Sequence, residues 1–266
     1  MVRKFLLTAA VAVAALVTPS VSRADFVLSG SLNGDSFNFD FTTQTGSIGG
    51  TSGSFTFLSS SFTGLTFTNY PAGGAGQINE WDVNGLSLNG LRLSVSASLS
   101  NSPGNVQTGQ LDLDSLTLRD TGASNATASL SLTDTGFTAP AAPRVIQTTY
   151  NASLQGDSGS AQATDSASYA DGIYTVNMPS KSATSNSPLS SLTNTSATFT
   201  SAAPYSLTDA VSIIGLFSGD TVSASVDTNV YQVAPAPSSL ILAATMVPFF
   251  GLLRRRMQGL KTAAVA

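Results

Sequence analysis

From Phe37 to Tyr231 the chain places apolar residues at every second position, over and over. Phe37, Phe39 and Phe41 alternate with polar residues, as do Phe55 and Phe57, then Leu65 and Phe67. Leu91, Leu93, Val95, Ala97 and Leu99 continue the pattern. Leu111 and Leu113, Leu116 and Leu118, and then Ala126, Ala128, Leu130 and Leu132 repeat it. Side chains of a strand alternate between its two faces, so this period describes strands with one face buried and one wet. Segments 145–154, 204–217 and 221–231 extend the strand pattern. In the last of these Val222, Ala224 and Val226 share a face, and the alternation slips at Thr228. Asn33-Gly34, Asn84-Gly85, Asn89-Gly90, Gly73-Gly74 and Ser218-Gly219-Asp220 punctuate the runs, and Asn-Gly favours two-residue hairpin turns. No stretch of this body shows a sustained helical period. The pattern predicts an all-β, antiparallel β-sandwich. An Ala/Pro segment, 138–143, is read as a hinge or a long connection, with a single domain preferred. The serine-rich segment 181–195 is read as a mobile loop.

Composition narrows the chemistry. The chain has no cysteine and no histidine. Thiolate catalysis, Cys-ligated zinc, Ser-His-Asp triads and HExxH sites are thereby excluded. Between residues 25 and 235, fifteen acids face four bases (Arg92, Arg119, Arg144 and Lys181), a net charge of −11. Such a field repels a phosphate backbone, so no nucleic-acid partner is expected.

The two ends read as addresses. Arg3 and Lys4 precede an apolar run, 5–17; Pro19 breaks it, and Ser22 and Ala24 supply small residues for cleavage. Residues 1–24 are thus a signal peptide, with signal peptidase and the export translocon as partners. At the other end, the apolar run 240–253 is followed at once by Arg254, Arg255 and Arg256. It is read as a single short C-terminal transmembrane helix with a cytoplasmic tail, 257–266. Pro235, Pro237, Ser238 and Ser239, then the apolar run, then the arginines, resemble a PEP-CTERM sorting signal over residues 234–256. Ala236 stands where the family usually has glutamate. The resemblance implies recognition by an exosortase-type enzyme. It also implies transient anchoring in the bacterial inner membrane, then transfer to the cell envelope or extracellular matrix. The passenger is residues 25–233.

Within the passenger, few residues invite a site. Asp112 and Asp114 share a strand face near Asp120 and Arg119, and could hold calcium if loop carbonyls joined them. Glu80 and Asp82 flank Trp81, the only tryptophan. That grouping suggests glycoside hydrolysis by paired carboxylates, or sugar stacking through Trp81 and Tyr70. No serine lies in a nucleophile elbow, and Lys181 is left without a role. No catalytic, cofactor or metal residues are assigned. The expected function is non-catalytic: an exported envelope or matrix protein in contact with exopolysaccharide. The alternative is an extracellular polysaccharide-acting enzyme that uses aspartates.

Overall fold

A computed structural model describes residues 25–233, apart from 50–53, 58–63, 72, 75–76, 106, 123–124, 157–160 and 202–203. In chain order the strands are β1 (Phe26–Leu32), β2 (Asp35–Asp40), β3 (Thr45–Ile48), β4 (Phe55–Thr56), β5 (Thr66–Tyr70), β6 (Asn79–Leu88), β7 (Leu91–Ser100) and β8 (Thr108–Asp120). They continue as β9 (Ala126–Phe137), β10 (Arg144–Gln155), β11 (Gln162–Ala170), β12 (Thr175–Asn177), β13 (Lys181–Thr184), β14 (Leu189–Thr195), β15 (Tyr205–Leu216) and β16 (Thr221–Gln232). Sheet A runs β12-β11-β15-β9-β1-β2-β3-β4, with β13 also on β11; sheet B runs β14-β10-β16-β8-β7-β6-β5. Every pairing is antiparallel. The sheets pack face to face: Phe39 of sheet A meets Phe67 of sheet B edge-on at 5.1 Å, and Thr228 of sheet B donates to Asp209 of sheet A.

The alternation translates into this core directly. Phe37, Phe39, Leu91, Leu93, Leu111, Leu113, Leu130 and Leu132 are all buried in one apolar cluster. Asn33-Gly34 and Asn89-Gly90 make two-residue turns in which both positions have positive φ, the geometry that matches hairpin twist.

The phase breaks have identifiable causes. Leu111, Leu113, Leu116 and Leu118 all face inward although their spacing is odd, because Ser115 adopts a left-handed conformation (φ 51°) and adds a bulge. Opposite it, Ala97 (φ 68°) bulges β7, and Asp82 Oδ1 accepts its backbone N–H at 2.8 Å. Ser98 and Ser100 therefore turn inward in place of Ala97 and Leu99. The expected slip at Thr228 does not occur: Val226, Thr228 and Val230 are all buried on one face. Asn84-Gly85 lies inside β6, where Gly85 forms a bulge and not a turn; a Cβ there would strike the carbonyl oxygen of Gly64.

Two further readings are revised. Segment 181–195 carries β13 and β14 and is not simply a loop. Segment 138–143 passes from sheet A to sheet B and is tied down at its end by Arg144. That side chain is buried, donates from Nε to Pro140 O at 2.7 Å and lies 4.6 Å from the Tyr205 ring centre.

The fold class is corrected in one respect: the described residues are all-β and include no C-terminal transmembrane helix. Among the described residues no helix is long and apolar enough to cross a membrane. The run 240–253 assigned to that helix lies outside them, and fourteen helical residues would reach only about 21 Å against a hydrocarbon core of about 30 Å. The inner membrane is withdrawn as a partner, and transient inner-membrane anchoring as a location. The leader 1–24, the cytoplasmic tail 257–266 and the sorting residues Pro235, Pro237, Ser238, Ser239, Arg254, Arg255 and Arg256 also lie outside the described residues.

Candidate binding cleft

At one end of the sandwich the two sheets part around an open cleft of ≈ 390 Å³. That volume falls within the usual range for small-ligand sites. The start of β1, the turn after β2, the end of β5, the start of β6 and the ends of β7 and β9 converge there. Its apolar lining is aromatic. Phe26 and Phe41 lie 5.0 Å apart, and Phe41 stacks on Trp81 at 5.3 Å with an interplanar angle of 14°. Around them stand amides and hydroxyls: Gln44, Asn69, Gln77, Asn79 and Ser102.

Two buried polar atoms in this lining have no hydrogen-bond partner among the described residues, Trp81 Nε1 and Asp134 Oδ1. Trp81 is only 4% exposed and Asp134 2%. The other Asp134 oxygen accepts a hydrogen bond from Ser100 Oγ, whose inward position is a product of the Ala97 bulge. Burial pushes the Asp134 carboxyl up to about 7, against the opposing effect of that hydrogen bond. Below that pH the carboxyl is neutral and can donate, and above it only accepts. An indole N–H and a carboxyl oxygen without partners among the described residues thus lie in the wall of an open cleft.

The structure separates several residues that sequence grouped. Trp81 faces inward, whereas Glu80 pairs with Tyr70 on the outer face. Trp81 and Tyr70 therefore form no common sugar platform. Asp82 is engaged by the β7 bulge. Asp134 is the only carboxylate among the described residues that line the cleft. Asp112 and Asp114 do share the outer face, where Asp227 joins them opposite Asp112. Burial, then neighbouring carboxylates, raises Asp112 to about 7 and Asp227 to about 6, after the lowering effect of Gln110 on Asp112. The Ser115 bulge puts Asp120 on the opposite face, where its Oδ1 accepts the Gly122 N–H at 2.6 Å. Among the described residues no group of three or more ligating side chains is placed to hold a metal. A second hollow, ≈ 310 Å³, lies on the outer face of sheet B over Asp114, Thr117, Asn151, Ser153 and Ser223; it has no aromatic lining.

Sequence reasoning missed Phe41, Asn69, Asn79 and Asp134. They come from four separate segments and make no local motif. The inward phase of Trp81 and Val83 was the one available signal.

No family model and no curated relative matches the chain. Among solved structures it is similar to a carbohydrate-binding module of the β-sandwich superfamily, with 8% identity, 77% of this chain and 97% of that one covered, and a TM-score of 0.26. The CBM22-1 xylan-binding domain from Paenibacillus barcinonensis Xyn10C matches at 14% identity, over 66% and 100% of the two chains, with a TM-score of 0.26. The enzymatically active domain of bacteriophage CBA120 tailspike protein 4 matches at 11% identity, over 62% and 19%, again at 0.26. Superpositions this loose transfer neither a site nor a ligand.

Proposed function

We propose that this chain is an exported, non-catalytic β-sandwich that binds neutral polysaccharide through the cleft between its sheets. One observation carries the reading: an aromatic-lined, amide-rimmed cleft in which Trp81 Nε1 and Asp134 Oδ1 are buried and unpartnered. Aromatic rings pack against the C–H faces of sugars, and amides exchange hydrogen bonds with their hydroxyls. The net charge of −11 between residues 25 and 235 disfavours anionic polymers, so the glycan is uncharged. Hydrolysis needs a pair of carboxylates set across the scissile bond, and Asp134 stands alone among the described lining residues. Export through the leader, and sorting by a PEP-CTERM-like address over residues 234–256, complete the proposal. Both addresses support a location in the cell envelope or extracellular matrix, where exopolysaccharide would be the partner.

The test is isothermal titration of the exported protein with soluble neutral and anionic polysaccharides. Saturable binding of a neutral glycan is expected, weakened at least about tenfold in Asn79→Ala, without release of reducing ends. No binding to any neutral glycan, or equal binding by Asn79→Ala, would overturn the reading. Release of reducing ends would establish the polysaccharide-acting enzyme in its place.

A further inference from the structure

Behind the cleft wall, where Asp209 of β15 is a diagonal ladder neighbour of Asp134 of β9, the sandwich interior contains oxygen atoms with no hydrogen-bond partner among the described residues. On the inner face of sheet A, Asp165 in β11 lies opposite Val211, while Asp209 in β15 lies opposite Ala167. The two carboxylates are thus diagonal neighbours on one ladder. Sheet B presents Thr148 and Tyr150 of β10 and Thr228 of β16 from the other side; all five residues are fully buried. Thr228 donates to Asp209 Oδ1, and the Thr148 and Thr228 hydroxyls share a hydrogen bond at 3.2 Å. Asp209 Oδ2, both oxygens of Asp165 and the Tyr150 hydroxyl have no partner. Tyr150 belongs to the same cluster: after burial, Asp209 and then Asp165 oppose its ionisation. Lys181 stands opposite Asp165 in the β11–β13 ladder, yet neither Asp165 oxygen is hydrogen-bonded to it.

An unpartnered carboxylate inside a protein is costly, and apolar side chains at these positions would pack without that cost. The orphan atoms are all oxygens, drawn from both sheets, which is the donor chemistry of hard cations and not of zinc or copper. We propose that Asp165, Asp209 and Tyr150, with the Thr148 hydroxyl beside them, hold a calcium-class cation between the sheets. Such an ion would clamp β11 and β15 to β10, across the interior. Two carboxylates and neutral hydroxyls form the set, which is why no cluster of three acidic ligands marks the place.

The exported protein is unfolded in chelator at pH 8, refolded with or without millimolar calcium, and desalted. Bound metal is then counted by atomic emission, and melting is followed by circular dichroism. About one retained calcium per chain is expected, with a melting temperature higher by about 5 °C. Asp165→Asn and Tyr150→Phe should lose both effects, and the outer-face variant Asp114→Asn should keep them. Tyr150→Phe preserves the ring volume and so reports even if Asp165→Asn does not refold. No calcium retained by the wild type, retention unchanged in the interior variants, or an equal melting shift from sodium chloride at matched ionic strength would overturn the site.

Discussion

The two halves of the interior are filled on different principles. In β1–β6 the core is aromatic: Phe39 touches Phe37, Phe55, Phe57 and Phe67 at centroid distances of 5.1–6.4 Å. In β10, β11, β15 and β16 the same inward phase carries Ala163, Ala167, Val211 and Val226, interrupted by Thr148, Asp165, Asp209 and Thr228. The same ring cluster reaches the sandwich mouth, where Phe26, Phe41 and Trp81 line the cleft. The second half keeps rings at Tyr150, Tyr169 and Tyr205 but fills the positions between them with small side chains and carboxylates. One repeating pattern therefore supports two kinds of interior, and the kind is set by residue identity and not by period.

The contrast can be broken by substitution. The largest effect is expected from Phe39→Ala, which removes a fully buried ring at the centre of the aromatic half. A loss of about 3–5 kcal/mol should appear as a lowered denaturant midpoint. Next comes pH. Asp134 is held near 7 chiefly by burial, against an ordinary value of 3.8. The folded state therefore keeps a proton that the unfolded chain gives up. This stabilising contribution is fully present below about pH 4 and is lost as pH rises to about 7. Asp112, Asp165 and Asp227 are raised in the same direction, so melting temperature should fall between pH 5 and 8, and Asp134→Asn should remove only the Asp134 share of that fall, on the order of 3 kcal/mol. In the other half, Asp165→Asn in chelator at pH 8 should raise stability by about 1–2 kcal/mol, because it removes a buried charge that lacks a partner. The smallest effect belongs to the outer face of sheet B, where Ser153→Ala should stay within about 0.5 kcal/mol.

What could be read in advance follows from the same contrast. Leucines 91, 93, 111, 113, 116 and 118 announce strands and a shared face because apolar side chains have one place to go. Bulges are not announced, since Ala97 and Ser115 hold positive φ without the glycine that usually marks it. Missing them put Asp120 beside Asp112 and Asp114, when it lies on the opposite face. Thr228 read as a break in the pattern because a buried threonine needs its partner, Asp209, from the other sheet. Asn84-Gly85 read as a turn because Asn-Gly serves a bulge as well as a hairpin. The cleft was illegible for a simpler reason: Phe26, Phe41, Asn69, Asn79, Trp81 and Asp134 are neighbours only after the sheets have closed.

Because Trp81 is the only tryptophan, its indole N–H gives a single resolved resonance. Nitrogen–proton correlation spectra of the labelled protein, titrated with an uncharged oligosaccharide cut from the polymer it binds, test the cleft most directly. The indole resonance should shift progressively and saturate, with the side-chain amides of Asn69, Gln77 and Asn79 following the same curve. An indole resonance that stays still while the oligosaccharide binds, with shifts confined to the outer face of sheet B, would place recognition elsewhere and contradict the cleft as the binding site.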